Sequence, residues 1–465
     1  MASGLADARR VARRSRPAAI VALEQWLRIP SVSGSSQNRR DVDRAADWVA
    51  RRLNRMTRSV TVVRAHGGPV VVARITSTST GESTRGRVPT LMVYGHLDVK
   101  PAGPGWTSDP FEPQRRDTRL VARGASDDKG QLMAHLVALE AWVAAGGPPC
   151  NVVVVVDGAE EIGSPGLDQA LDSLHGGTDR VSEVDAVLIS DTRAAALGRP
   201  TLTVSQRGRL DVRITVDVGG ADVHAGRFGG AVVDPSLVLA AAVTSAAEAI
   251  SAIPPAEQTA PDPTDDVVRA SAGGRTMAAG RLAARATRWS ATSVTSLHAG
   301  GAPGAIPTRA TADLDIRLPP GVPPATARTL LVSAVGSARE DQAVVDLRCG
   351  AGTIGAELHH PAAVSDAFRA ACRAGFGVDP VEVASGGSIP AVAVLKSRFS
   401  VDPLLFGLGP SNDAAHGPDE YLDLRDWGCG VDASVVFMEN LARAFRAGPR
   451  PTFAGTSRPI SGSER

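Results

Sequence analysis

The sequence predicts an α/β fold: a mostly parallel sheet covered by helices, with an α+β domain inserted into it. Two observations carry that prediction. Thr90-Leu91-Met92-Val93-Tyr94, the five valines Val152 to Val156, and Ala186-Val187-Leu188-Ile189 are unbroken apolar runs separated by a helical pattern. Strands apolar on both sides belong to sheets buried on both faces, as parallel sheets are. Further on, Leu210, Val212, Ile214 and Val216 alternate with Asp211, Arg213, Thr215 and Asp217, and Ala312 to Leu318 repeats the alternation. Period-two patterning suits an antiparallel sheet with one solvated face. A chain of 465 residues leaves room for two or three domains.

In chain order, apolar residues at helical spacing predict helices over Ala18–Arg28 and Asp41–Met56, the second with Ala45, Trp48, Val49 and Leu53 on one face. Short β-rich runs follow at Ser59–Val63 and Pro69–Ile75, then the polar loop Ser77–Arg87. Leu132, Leu136, Leu139 and Val143 mark a helix that stops at Gly146-Gly147-Pro148-Pro149. Past Pro200 the order is a strand at 210–217, a glycine-rich loop over 219–230, a helix over 235–250 and a polar loop over 254–266. A weak strand at 293–297, a strand at 312–318, a helix over 324–339 and a strand at 344–349 complete β-α-β-β-α-β, the ferredoxin-like order. The chain then returns to the first domain with a helix over 361–374, an apolar run at 403–408 and a final helix over 426–446. The predicted division is a first domain over 1–202 and 353–447, an insert over 203–352, and a flexible Pro/Gly/Ser-rich tail over 448–465.

Composition narrows the function classes. A net charge of +1 gives no electrostatic reason for nucleic acid or an acidic membrane as partner. Cys150, Cys349, Cys372 and Cys429 lie far apart with no CxxC pair, which suggests neither a disulfide framework nor a thiolate zinc site. Arg9, Arg10, Arg13, Arg14 and Arg16 precede only a short apolar stretch, and no run reaches transmembrane length. A cytoplasmic protein is the expectation.

Chemistry concentrates at the strand ends. The first apolar run breaks at Gly95 into His96-Leu97-Asp98, the valine strand runs out into Glu160-Glu161, and the third ends in Ser190-Asp191. Asp127 lies in the loop before a helix, and His416 follows the late apolar run. Ligand sites of open α/β sheets lie at the carboxyl ends of the strands, so these side chains converge. Alone, His-x-Asp is more often a strand ending in a polar turn, and Glu-Glu more often a solvated surface. Together they make imidazoles and carboxylates without thiolates, a donor set for hydrolytic Zn²⁺, Mn²⁺ or Co²⁺. On a strand, two-residue spacing would put His96 and Asp98 on one face. Neighbouring glutamates point differently, so one can bind metal while the other serves as base. His135 reads as a packed helix residue.

His96-Leu97-Asp98-Val99, Gly124 to Gly130 (Gly-Ala-Ser-Asp-Asp-Lys-Gly), Glu160-Glu161-Ile162-Gly163-Ser164, Ser190-Asp191-Thr192 and His416 resemble, in order and spacing, the dinuclear zinc peptidases and deacylases. That family includes carnosinase, aminoacylase and carboxypeptidase G. Pro101-Ala102-Gly103, Trp106, Asp109-Pro110-Phe111 and Gly386-Gly387-Ser388-Ile389-Pro390 are most similar to the carnosinase-like dipeptidases. The resemblance implies two divalent ions, zinc or else manganese or cobalt. His96, Asp127 and Asp191 would hold one and Asp127, Glu161 and His416 the other. It implies Asp98 as the group orienting His96 and Glu160 as the general base.

Asp222 to Gly230 resembles the family loop whose histidine, here His224, reaches the partner subunit's site and stabilises the oxyanion. The insert would thus be a lid and dimerisation domain, and the protein a homodimer. Arg317 and Ser388 are substrate-side candidates, the arginine as a fork for a C-terminal carboxylate. Ala384 and Gly304 stand where relatives carry arginine and threonine. The expected activity is amide hydrolysis of small peptides, most closely that of a dipeptidase. N-acyl-amino-acid deacylase or small carboxypeptidase is the alternative, and a non-catalytic binding paralogue the remote one.

Overall fold

Valine- and leucine-rich runs buried on both sides build the central sheet of the computed structural model, which describes residues 2–78, 87–172, 183–257, 261–271, 280–300, 302–337, 342–410 and 412–447. The chain forms two compact units: 1–204 with 358–382 and 389–465, and 205–357 with 383–388. The tail expected over 448–465 lies outside the described residues.

In the first unit the strands lie in the order Ser59–Arg64, Pro69–Ile75, Asn151–Asp157, Thr90–His96, Ala186–Ile189, Leu404–Gly407 and Thr201–Gln206. The four from Asn151–Asp157 to Leu404–Gly407 are mutually parallel, and antiparallel strands flank them on both sides. Thr90–His96 and Asn151–Asp157 are buried along almost their whole length, as the unbroken apolar runs require. The helices Ala2–Leu27, Lys129–Ala144 and Leu424–Ala447 pack on one another and bury Leu23, Trp26, Leu136 and Phe437.

The first helix begins at Ala2, well before the expected Ala18, and contains Pro17. Its arginines masked the pattern: Ala8 and Ala12 are buried, while Arg13 and Arg16 both pair with Asp432 of the last helix, at 2.9 and 2.7 Å. The sequence also did not predict a small sheet of Gln114–Arg116, Arg119–Val121 and Tyr421–Asp423.

The second unit has strands Gly208–Asp217, Ala291–Ala299, Arg309–Leu318 and Val344–Cys349, with the long helices Pro235–Ser251 and Pro324–Ser337. The sheet order runs from Ala291–Ala299 through Arg309–Leu318 and Gly208–Asp217 to Val344–Cys349, all antiparallel. That is the ferredoxin-like topology. Leu210, Val212, Ile214, Ala312, Leu314 and Ile316 form its core with Leu239 and Leu331. Two short helices, Asp265–Ser271 and Leu282–Thr287, follow where the sequence suggested a loop or nothing.

Candidate metal centre

Strand register sets the site. Tyr94 pairs with Ile189 and His96 with Asp157 in parallel, so His96 and Asp191, each two residues past the Tyr94–Ile189 pair, leave the sheet at one level. The His96 ring is fully buried. Its Nδ1 lies 2.9 Å from the Asp98 carbonyl oxygen and 3.4 Å from Asp98 Oδ1. A carbonyl only accepts, so Nδ1 carries a proton and Nε2 is the ring atom turned to the site, able to hold a proton or a cation. Nε2 faces Asp127 Oδ1 at 3.0 Å and Asp191 Oδ1 at 4.0 Å. Three acceptors converging in a dry place require a cation or a proton among them.

The strand ends at His96, so Asp98 is already off it, contrary to a shared strand face. The Asp98 carboxylate turns instead to the next strand's exit: Oδ1 accepts the Glu160 N–H and Oδ2 the Glu161 N–H, each at 3.1 Å. This buried carboxylate thereby fixes the single turn Glu160–Ile162 that carries both glutamates.

Asp127 lies between two imidazoles, Oδ1 toward His96 and Oδ2 3.1 Å from His416 Nε2. Burial works against its ionisation, but those imidazoles outweigh it and hold the carboxyl well below the usual range. Glu161 Oε2 is 3.3 Å from His416 Nε2 and 3.1 Å from the Lys100 ammonium, which also donates to the Glu161 carbonyl. His416 is half-exposed and left-handed, with φ of 65°. Burial lowers its proton affinity, yet Asp127 and Glu161 raise it to about 10. Burial first, and then Asp127, pushes Asp191 up. Burial likewise raises the Glu160 carboxyl far above its ordinary value; His96 opposes this, and Asp191, Glu161 and Asp98 reinforce it.

Ligand atoms of His96, Asp127 and Glu161 lie within 4.8 Å of one another, as do those of His96, Glu160 and Asp191. Asp127, Asp191, Glu160 and Glu161 thus face two imidazoles and one ammonium. This excess of negative charge, in nitrogen and oxygen donors alone, fits divalent cations of hydrolytic type. The residues present fit the group.

The remaining candidates belong to the second unit. His224 is exposed; its Nδ1 accepts the Gly226 N–H at 3.1 Å, which leaves the neutral ring's proton on Nε2. Arg317 makes a two-pronged pair with Asp315 at 2.7 and 3.1 Å, and Arg209 reaches the same carboxylate at 3.1 Å. Ser388 Oγ donates to the Arg207 carbonyl at 2.7 Å. Arg207 in turn ties the Gly386, Arg285 and Trp289 carbonyls together. Lys100 and Glu420 are polar groups of the site region to which sequence reasoning gave no role. Lys100 follows the His-x-Asp motif by two residues and Glu420 follows His416 by four, so proximity to a ligand was the available signal.

The sequence model of the Peptidase family M20/M25/M40 matches residues 92–440. Among curated proteins, the chain is 27% identical over 462 residues to the Cys-Gly metallodipeptidase dug1 of Schizosaccharomyces pombe. That alignment covers 91% of this chain and 95% of the relative. Among solved structures it resembles the di-peptidase Dug1p from Saccharomyces cerevisiae, with a TM-score of 0.82 and 23% identity over 95% of this chain and 99% of that one. Human carnosine dipeptidase 1 is similar with a TM-score of 0.81 and 22% identity, covering 94% of this chain and 99% of that one. Among the described residues, no helix is long and apolar enough to cross a membrane.

Proposed function

The chain belongs to peptidase family M20/M25/M40, and on that premise we propose that it is a metal-dependent dipeptidase that cleaves the amide bond of small peptides. The observation that carries the reading is the convergence of two imidazoles on the two oxygens of Asp127. The match to a metallodipeptidase over nearly that relative's full length supports the substrate class.

His96, Asp127 and Asp191 would hold one ion and Asp127, Glu161 and His416 the other, with zinc our choice and manganese or cobalt the alternatives. Such ions polarise the amide carbonyl and ease ionisation of the attacking water. Glu160 takes the water's proton on a carboxylate oxygen and delivers it to the leaving amine nitrogen. The His96 tautomer is fixed by its Nδ1–H donation to Asp98, which keeps Nε2 available as a ligand. His224, with its proton on Nε2, would donate to the developing oxyanion of the partner copy's site in a homodimer built through the 203–352 insert. Arg317 and Ser388 are the substrate-side groups, the arginine holding the C-terminal carboxylate. The described thiols Cys150, Cys349, Cys372 and Cys429 are all free, in keeping with a cytoplasmic protein.

The test is hydrolysis of free dipeptides against N-acyl amino acids, after chelation and after return of Zn²⁺, Mn²⁺ or Co²⁺. Dipeptides should be cleaved at least tenfold faster, and only with metal restored. Preference for N-acyl amino acids would make the protein a deacylase, and absence of hydrolysis with every metal would make it a binding paralogue.

A further inference from the structure

The loop that carries His416 is held in an unfavourable backbone conformation. Ala414, His416 and Asp419 all have positive φ, at 55°, 65° and 56°. Left-handed conformations are unfavourable for side-chain-bearing residues, and they persist only where neighbouring structure over-determines them. What over-determines this loop is its last residue.

Glu420 is fully buried, and every hydrogen bond its carboxylate makes goes to the segment that carries Asp127. Oε1 accepts the N–H groups of Ser126 and Asp127 at 2.8 and 3.0 Å. Oε2 accepts the Gly124 N–H at 3.0 Å and Arg123 Nη1 at 2.6 Å. The backbone joins in: the Glu420 carbonyl accepts the Ala122 N–H at 3.0 Å, and Tyr421–Asp423 pairs antiparallel with Arg119–Val121. Arg123, also buried, directs its Nη2 at the Pro101 and Ala102 carbonyls, 3.3 and 3.4 Å away. A second tie connects the same two segments. Ser126 Oγ donates to Asp413 Oδ2 at 2.6 Å, while Asp413 Oδ1 accepts from Arg193 at 2.9 Å and from the Ala415 N–H at 3.1 Å.

A buried ion pair adds little net stability over an apolar core of equal volume, because desolvation offsets its attraction. Its contribution here is geometric. One carboxylate grips the backbone N–H of Asp127 and of the residue before it, and lies four residues after His416. We infer that Glu420 is a positioning residue: it fixes the spacing between Asp127 and His416, and so sets the affinity of the cation site those two share with Glu161.

The inference rests on that ligand assignment, and the experiment separates the two. Metal-free wild type, His416→Ala, Glu420→Gln and Ser126→Ala are titrated with Co²⁺ against a chromophoric chelator, with the visible absorption of bound Co²⁺ recorded. Glutamine turns an amide NH₂ toward two of the four donors, so Glu420→Gln should bind the first ion normally and the second at least tenfold more weakly. Its second-ion spectrum should be altered. Ser126→Ala, which keeps Glu420 and loses only the Asp413 tie, should shift the second affinity less and in the same direction; it decides the matter if Glu420→Gln does not fold. If His416→Ala loses one ion while Glu420→Gln and Ser126→Ala bind both as wild type does, whatever their melting temperatures, the positioning role is wrong and the ligand assignment stands. If His416→Ala itself keeps both ions, ligand assignment and positioning role fall together.

Discussion

The candidate residues of the two units are held in opposite ways. His96, Asp98, Glu160 and Glu161 are buried, and the backbone N–H groups of both glutamates are fixed by the Asp98 carboxylate. Three of the strands behind them share one parallel register. The His224 ring is exposed and accepts the Gly226 N–H two residues on, and the Arg317 guanidinium is partnered by Asp315, likewise two residues away. Residues of the first kind are set when the sheet forms. Those of the second kind are held by local contacts that a ligand can exchange for its own. With the roles proposed above, charge chemistry would sit where geometry is fixed, and recognition where it can adjust.

Four substitutions would break or sharpen that contrast. Glu160→Gln should lower turnover by about 10²–10⁴-fold, the usual worth of a general base, with both metals still present by elemental analysis. Substantial residual hydrolysis would remove Glu160 from that role. His224→Ala should lower kcat by roughly 10²–10³-fold, as loss of an oxyanion donor does, with metal content untouched. Mixing it with Glu160→Gln should restore activity, because a mixed dimer has one site with both groups intact; mixtures that stay inactive would rule out a shared site.

Arg317→Ala should act mainly on KM, raising it about 10–100-fold for the loss of a charge-assisted pair. An equal loss in kcat with unchanged KM would mean that it does not hold the ground-state carboxylate.

The smallest effect concerns stability. His135, buried between Ser190 and Ser434 at 2.7 and 2.9 Å, has its proton affinity pushed down to about 3 by burial. An unfolded imidazole titrates near 6.5. Between those values the unfolded chain binds a proton that the folded chain refuses, so stability falls as pH drops, by at most about 1.4 kcal/mol per pH unit. His135→Gln should flatten that slope in urea unfolding between pH 6.5 and 4.5, and an unchanged slope would assign it to other groups.

Legibility in the sequence followed the range of the interactions. The valine run and its neighbours announced their strands because burial on both faces leaves an unbroken apolar signature. The insert announced itself through alternation, which Arg309–Leu318 keeps residue by residue. The first helix did not, since its arginines interrupt the apolar pattern, and two of them, Arg13 and Arg16, find their partner in Asp432, far away in sequence. Tyr421–Asp423 pairs with Arg119–Val121 across some three hundred residues, and strands of three residues carry almost no periodicity. In the site, residue types and strand ends were visible. The second task of Asp98 was not, because a carboxylate accepting two N–H groups from another strand's exit leaves no mark in spacing.

Lys100 bears on how the carboxylate cluster is balanced. Of 50 basic residues three are lysines, and one of these rests its ammonium on Glu161. The cluster thus has a cation of its own chain resting against it. Were a cation to bind beside Glu161, the flexible four-carbon stem of Lys100 could give way more readily than a planar guanidinium fork would.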